Sequence, residues 1–271
     1  MKRSERLVAM THYLLEHPHG LVSLPFFTEK FDSAKSSVSE DMTIINVMFQ
    51  QLGIGELHTV SGAAGGVKFV PSQSVENSER FVDQLAHQLE DPARILPGGY
   101  LFMSDLLGDP HTVKQIGQLF ATYFAETEID VVITVATKGI PLAYAVASFL
   151  NVPVVIVRRD PKVTEGSTVS INYVSGSSRK IQTMVLPKRS LSEGANVLIV
   201  DDFMKAGGTI NGMKSLLKEF NAHVAGIGVL AEAEDEEEER VVQDYVSLLQ
   251  IQHVDEREQR IDIVRGNYFQ S

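Results

Sequence analysis

The residues best suited to chemistry stand together in this chain. Asp201 and Asp202 close the apolar run Val197-Leu198-Ile199-Val200, and Phe203-Met204-Lys205-Ala206-Gly207-Gly208-Thr209 follows them. The pattern predicts a buried strand over Val197 to Val200 that ends in two carboxylates, then a glycine-bearing loop, then a helix over Thr209 to Phe220. In open parallel sheets, ligands bind beyond the carboxyl ends of the strands. Glycines let backbone N–H groups approach a phosphate, and a helix N-terminus adds the positive end of its dipole. Carboxylates repel phosphate, so the two acids suit other groups: ribose hydroxyls, or the water shell of a metal. The set reads as a site for a ribose 5-phosphate group. A strand-loop-helix turn with two solvated acids fits the same residues.

A second candidate lies near the N-terminus, in Ala34-Lys35-Ser36-Ser37-Val38-Ser39-Glu40-Asp41. Short polar side chains and free N–H groups at a helix start can come close to DNA. Lys35, Ser36, Ser37 and Ser39 are the expected base and backbone contacts, with Lys2, Arg3, Arg6, Lys30 and Lys68 as candidates for phosphates. A three-helix dimerisation unit is the competing reading.

Both candidates depend on the elements around them. Leu7, Met10 and Leu14 recur on one helical face, and Pro18 and Gly20 end that helix. Leu24 to Phe31 reads as a short helix and Asp32-Ser33 as a turn. Val38, Met42, Ile45 and Phe49 mark a third helix, with capping-box spacing at Ser37 and Glu40 and a stop at Gly53. Leu57 to Val60 and Val67 to Val70 predict two strands joined by a glycine-rich turn. Three helices and a hairpin in this order predict a winged helix-turn-helix. Pro71 to Asn77 reads as a linker, Glu79 to Leu89 as a helix, and Pro97-Gly98-Gly99 as a break. Helices over Val113 to Ala125 and Pro141 to Leu150 then alternate with strands over Val131 to Ala136, Val154 to Val157 and Val224 to Leu230. That rhythm predicts a mostly parallel sheet covered by helices. The expected fold class is α/β, with a winged-helix domain over 1–74 and a ligand-binding domain over 75–271.

Composition narrows the classes. Apolar residues make up 44% of the 271, and the net charge is −11. Residues 1–75 hold six lysines or arginines against seven acids, a balance of −1 that leaves −10 to the remainder. The near-neutral first part can present a local basic face, while the rest opposes general nucleic-acid coating. Much of the acidity lies in Glu232 to Glu239, expected as a solvated loop or helix end. There is no cysteine, so disulfides are impossible, and no apolar run approaches the roughly 20 residues that span a bilayer. These features lead us to expect a cytoplasmic protein with no membrane partner.

The segment from Val197 to Thr209 resembles the phosphoribosyl-pyrophosphate (PRPP) motif of type I phosphoribosyltransferases. Asp201, Asp202, Gly207, Gly208 and Thr209 match it, and Ala206 departs from the usual threonine. The resemblance implies that the acids hold the ribose hydroxyls and that Phe203 to Thr209 holds the 5-phosphate. It implies that Thr137, Lys138 and Gly139, after the strand at Val131, form a pyrophosphate loop. In that family a flexible loop closes over PRPP where Asp160 to Arg189 stands here, with Tyr173, Arg179 and Lys180 as candidate contacts. A hairpin without a ligand role fits that stretch nearly as well.

The union of such a domain with a helix-turn-helix resembles the purine operon regulators of Gram-positive bacteria. The resemblance runs over nearly the whole chain, including Arg3-Ser4-Glu5-Arg6-Leu7-Val8, Pro97-Gly98-Gly99-Tyr100 and Thr164-Glu165-Gly166-Ser167-Thr168-Val169-Ser170. It implies a homodimeric transcription factor for purine genes, operator DNA as partner, and PRPP with Mg²⁺ as effector, in competition with purine nucleotide alarmones. It also implies loss of transferase activity, so no catalytic residue, resident cofactor or protein-bound metal is expected. The rival readings are a purine phosphoribosyltransferase with an N-terminal extension and a PRPP-binding scaffold that makes no DNA contacts.

Overall fold

The amphipathic spacing of the first fifty residues folds into three helices, α1 (Arg3–Glu16), α2 (Leu24–Phe31) and α3 (Lys35–Leu52). Their apolar faces meet in one core around Met10, Leu14, Phe27, Val38, Ile45 and Phe49. Strands β1 (Gly55–Val60) and β2 (Gly66–Pro71) pair antiparallel beside it, and Val67 and Phe69 join that core. The computed structural model describes residues 1–62, 65–98, 100–160, 166–174, 181–233 and 240–270. Within them the winged-helix order stands as the spacing predicts. Gly53 caps α3 at φ +64, in the left-handed region where glycine alone is unstrained. The capping box does not form. The helix starts at Lys35, Ala34 is its cap, and no side chain bonds the first amides. Ser37 and Glu40 therefore lie inside the helix rather than at its entrance.

The expected linker is shorter than Pro71 to Asn77. β2 runs to Pro71, and α4 (Val75–Leu89) begins under the cap of Ser74, whose hydroxyl accepts from Asn77 N–H. Only Ser72 to Ser74 connect them, and the connection is held. Gln118 Nε2 donates to the Ser72 carbonyl at 2.9 Å, and Gln73 N–H donates to Thr122 Oγ1 at 3.2 Å.

Two short strands, β3 (Ile95–Leu96) and β4 (Tyr100–Leu101), form a hairpin at the Pro97-Gly98 break. Then come α5 (Ser104–Gly108), α6 (Pro110–Tyr123), β5 (Val131–Val135), α7 (Ile140–Leu150), β6 (Val154–Val157), β7 (Thr168–Val174), β8 (Ile181–Pro187), β9 (Asn196–Met204), α8 (Gly208–Lys218), β10 (His223–Ala233), β11 (Val246–Asp255) and β12 (Arg260–Arg265). Six strands make the main sheet in the order β12-β11-β10-β9-β5-β6, and only β11 with β12 is antiparallel. The two final strands, β11 and β12, come in addition to the elements expected from the sequence. Cores lie on both faces. α6 and α7 pack with Leu198, Val200 and Leu248 on one, while α8 and Met184 pack with Val197 and Ile199 on the other.

The polar stretch after Asp160 is partly built structure. β7 and β8 pair antiparallel along seven residues each, and Met184 and Leu186 are fully buried. Arg179 and Lys180 lie outside the described residues, as do residues 234–239 of the acidic run. Glu232 is a correction to that run: it is buried in β10, not solvated. No helix among the described residues is long and apolar enough to cross a membrane.

Candidate functional site

The sheet changes direction between β5 and β9, which lie side by side. The helix after β5 covers one face and the helix after β9 covers the other. Such a switch point opens a crevice at the carboxyl ends of the strands. A cleft of about 530 Å³ sits there, lined by Thr137, Lys138, Asp201, Asp202, Phe203 and Thr209 among others. A small hollow of about 70 Å³ adjoins it, lined by every residue from Phe203 to Ile210. The fold thus gathers the acid pair, the Thr137-Lys138 loop and the glycine loop into one place.

The acids are not at the end of the strand, as the apolar run suggested. β9 continues through both to Met204. Strand alternation sends Asp201 inwards, where it is only 5% exposed, and leaves Asp202 half-buried. Asp202 N–H donates to Asp201 Oδ1 at 3.0 Å. Burial pushes the Asp201 carboxyl well above the ordinary carboxylate range, and the neighbouring Asp202 charge adds to the rise. Burial also raises Asp202, while the Lys138 ammonium opposes that rise. Burial disfavours the charged forms of the two carboxyls, a cost that hydroxyl donors bonding to the carboxylates would relieve. They are not an open pair of solvated acids.

Gly139 has a steric task that its position in the sequence did not suggest. A Cβ there would stand 2.6 Å from Thr134 Oγ1 and 3.0 Å from Asp201 Oδ1. Its bare backbone makes room for the buried acid. Gly207 caps α8 at φ +84, and a Cβ there would press on Val242 at 3.0 Å. Gly207, the cap of α8, has no side chain to cover the first N–H groups, and the loop and first turn line the hollow. Ala206 is buried and its carbonyl accepts from Val241 N–H at 3.1 Å.

Tyr173 is a further correction. Its ring is buried against Gly212 of α8, with a would-be Cβ of that glycine at 2.9 Å from the ring, and its hydroxyl donates to Gln182 at 2.8 Å. It belongs to the core beneath α8 and does not line the cleft. The cleft has instead a wall the sequence did not disclose: Leu96, Pro97, Tyr100 and Leu101 from the β3–β4 hairpin and Met103 just after it, with Ile251 and Val254 of β11 and Arg159 also in the lining. Arg94 braces that hairpin. It donates to the Gln88 and Phe102 carbonyls and grips Asp105 through two bonds of 2.8 and 2.7 Å. Gly98 N–H donates to Glu256 Oε1 at 2.8 Å, tying the hairpin to the β11–β12 turn. The Pro97-Gly98-Gly99-Tyr100 motif was the one available signal for this wall.

In the head, Lys35, Ser36 and Ser39 are exposed at the start of α3 and Ser37 is half-buried. The uncapped helix leaves amides free beside them. Lys2 is exposed and Lys68 half-exposed on β2, and Lys30 lies over the Tyr13 and Phe26 rings. Arg6 does not fit the phosphate role. It is 8% exposed, and it donates to Asp41 at 2.6 Å and to Ser33 at 3.0 Å. Arg3 donates to the other Asp41 oxygen at 2.9 Å. The fully buried Asp41 carboxylate on α3 thus bonds both arginines, Arg6 in the core and Arg3 with its side chain still half exposed, and the group pins α1 against the expected recognition helix.

The fold and cleft define a winged-helix head on a type I phosphoribosyltransferase-like body. Residues 2–71 match the family model described as bacterial purine repressor, N-terminal, and residues 103–261 match that of the phosphoribosyl transferase domain. The chain belongs to the family of bacterial purine biosynthesis transcriptional regulators. It is 63% identical over 267 residues to the purine biosynthesis transcriptional repressor PurR of Bacillus subtilis, covering 98% of this chain and 93% of that one. It is 48% identical to the purine biosynthesis transcriptional activator PurR of Lactococcus lactis subsp. lactis, covering 99% of each. A xanthine phosphoribosyltransferase of Agathobacter rectalis is 31% identical over 194 residues, 66% of this chain and 99% of the enzyme. In structure, an adenine phosphoribosyltransferase from Thermoanaerobacter pseudethanolicus superposes with a TM-score of 0.53 at 21% identity, over 62% of this chain and 98% of the enzyme. That likeness concerns the fold.

Proposed function

We propose that the protein is a homodimeric, DNA-binding regulator of purine biosynthesis and transport genes, with a DNA-binding domain over 1–74 and a PRPP-sensing domain over 75–271. The observation that carries the effector assignment is the convergence, at one switch point, of a desolvated acid pair and an uncapped helix behind a glycine loop. The acids accept the ribose hydroxyls, the N–H groups of Phe203 to Thr209 hold the 5-phosphate, and Thr137 and Lys138 meet the pyrophosphate. Mg²⁺ accompanies the pyrophosphate, and its charge offsets the repulsion between the ligand and the acids. Purine nucleotides, alarmones among them, compete for the same cleft. Lys35, Ser36, Ser37 and Ser39 approach operator bases and backbone, with Lys2 and Lys68 on phosphates.

A promoter-fragment gel shift with and without PRPP and Mg²⁺ tests this reading. A shift unaffected by the ligand removes the effector role, and no shift on any purine promoter removes the regulator. The apolar wall favours a second reading, since it is a surface on which a purine base could stack in a transferase. Ala206 leaves the loop short of a hydroxyl donor, and we expect no transfer to adenine, guanine, hypoxanthine or xanthine. Steady pyrophosphate release with any of these bases would establish the enzyme.

A further inference from the structure

Glu232 is a buried carboxylate with no part in the site as described. It lies on β10 opposite Met204, the residue that opens the glycine loop. One carboxylate oxygen accepts from Ser247 Oγ at 2.6 Å. The other accepts from the Tyr245 hydroxyl and pairs with Arg240 Nη1 at 2.5 Å. Arg240 also donates to the Ala233 carbonyl at 3.2 Å. Immediately after it, Val241 N–H donates to the Ala206 carbonyl at 3.1 Å, and the fully buried Val242 packs on Gly207.

We propose that Arg240 to Val242 form a strap that sets the position of the phosphate loop, and that Glu232 is its clasp. The chemistry requires such a part. The loop must hold its amides at one spacing to bind a phosphate, yet two consecutive glycines, Gly207 and Gly208, give its backbone unusual freedom. No side chain caps α8 from within. The Val241 hydrogen bond and the Val242 side chain supply the missing restraint from behind the loop, on the side away from the ligand. A hydrogen bond to a loop carbonyl restrains that loop only if its donor is itself anchored. Here the anchor is an ion pair whose carboxylate is desolvated, and breaking a pair of that kind by removing one partner leaves an uncompensated buried charge. Glu232, Arg240 and Val242 are positioning residues: they touch the loop or each other, never the ligand. Part of this inference rests on the phosphate role of Phe203 to Thr209 given above, and part stands on the apo protein alone.

The test uses the full-length protein in two measurements. Hydrogen exchange without ligand reads the restraint directly. In Arg240→Ala and in Val242→Ala, the amides of Val241 and Asn211, which donate to the loop carbonyls of Ala206 and Gly207, should exchange faster while those of Val197 to Val200 stay protected. Calorimetry with PRPP and Mg²⁺ reads the consequence. Arg240→Ala should bind roughly tenfold more weakly, the equivalent of losing one hydrogen bond between the loop and a charged phosphate, and Arg240→Lys should recover part of the loss. Ribose 5-phosphate should weaken by the same factor, because the loop meets only the phosphate that the two ligands share. Should Arg240→Ala misfold, Val242→Ala, which keeps the ion pair, gives the same exchange reading. Unchanged exchange at Val241 and Asn211 in both variants overturns the strap, whatever PRPP does. Faster exchange in variants of a protein that binds no PRPP upholds the strap and overturns the effector reading instead.

Discussion

The substitution Asp201→Asn should make the ligand-free protein more stable and the sensor worse. The carboxyl is 5% exposed, and it accepts from the Asp202 N–H at 3.0 Å. The amide oxygen of an asparagine keeps that bond. What the substitution removes is the charge, whose burial is the main cause of the raised pKa. The NH2 group of the new side chain can donate to the Asp202 carboxylate as a protonated Asp201 would, so no polar group is left short of a partner, a shortfall that would cost about 1–3 kcal/mol. Relief of the buried charge should give the variant a gain of about that size at neutral pH. In a chain of this size each kcal/mol moves Tm by about 2–4 °C, for a rise of roughly 2–12 °C. The sign follows from proton linkage. A carboxyl held above its ordinary value keeps its proton longer in the native than in the unfolded chain, so native stability falls as pH climbs from about 4 through the raised value. The advantage of the variant should therefore be large at a pH of about 7.5 and smallest near a pH of about 3, below the ordinary carboxylate value, where the Asp201 side chain is neutral in the native and the unfolded chain alike. PRPP affinity should fall by about 10- to 150-fold, from losing one charge-assisted bond of about 1.5–3 kcal/mol. Thermal unfolding at the two pH values, with calorimetry at the higher one, checks both halves. A variant less stable than wild type at the higher pH, or a stability gap that persists at the lower one, refutes the argument from burial.

The head gives two contrasting predictions. Lys35→Ala should make the log–log salt dependence of operator binding shallower by about one unit if Lys35 meets a phosphate, and should relax specificity at similar slope if it reads a base; gel shifts across a salt series separate the two. Arg6→Ala should act through stability instead, since truncating one partner of a buried ion pair costs about 3–5 kcal/mol. Its unfolding should be displaced far below that of Lys35→Ala, and equal unfolding of the two would return Arg6 to the DNA surface. PRPP should change operator affinity by a factor of roughly 5–150, and operator DNA should change PRPP affinity by the same factor. Titrations in both directions at fixed salt and Mg²⁺ check that reciprocity, and unequal factors would mean that the two ligands do not share one pair of states.

Where a periodic apolar face coincides with a clear stop, the elements can be read from the chain alone. Met10 and Leu14 on α1, Val38 to Phe49 on α3 with Gly53 behind them, and the strands at Val131 and Val154 are local patterns, and local patterns survive folding. The acid pair and glycine loop are legible for the same reason: a strand, two acids, a loop and a helix start follow one another without interruption from Val197 to Thr209 and carry their chemistry with them. Long-range partners leave no such trace. Arg6 reads as a phosphate ligand because nothing near it in sequence announces Asp41, which reaches it only when α3 packs on α1. Glu232 reads as the first of a run of solvated acids until β10 carries it inside to Arg240 and Tyr245. Tyr173 reads as a ligand contact until Gly212 receives its ring. The apolar wall needs the β3–β4 hairpin and β11, far apart in the chain, to line one cleft with the acids. Which residues are capable of binding a charged ligand is a property of side-chain chemistry, written residue by residue. Which of them are free to do so depends on burial and on partners brought from far along the chain, and those come into being only with the packed tertiary structure.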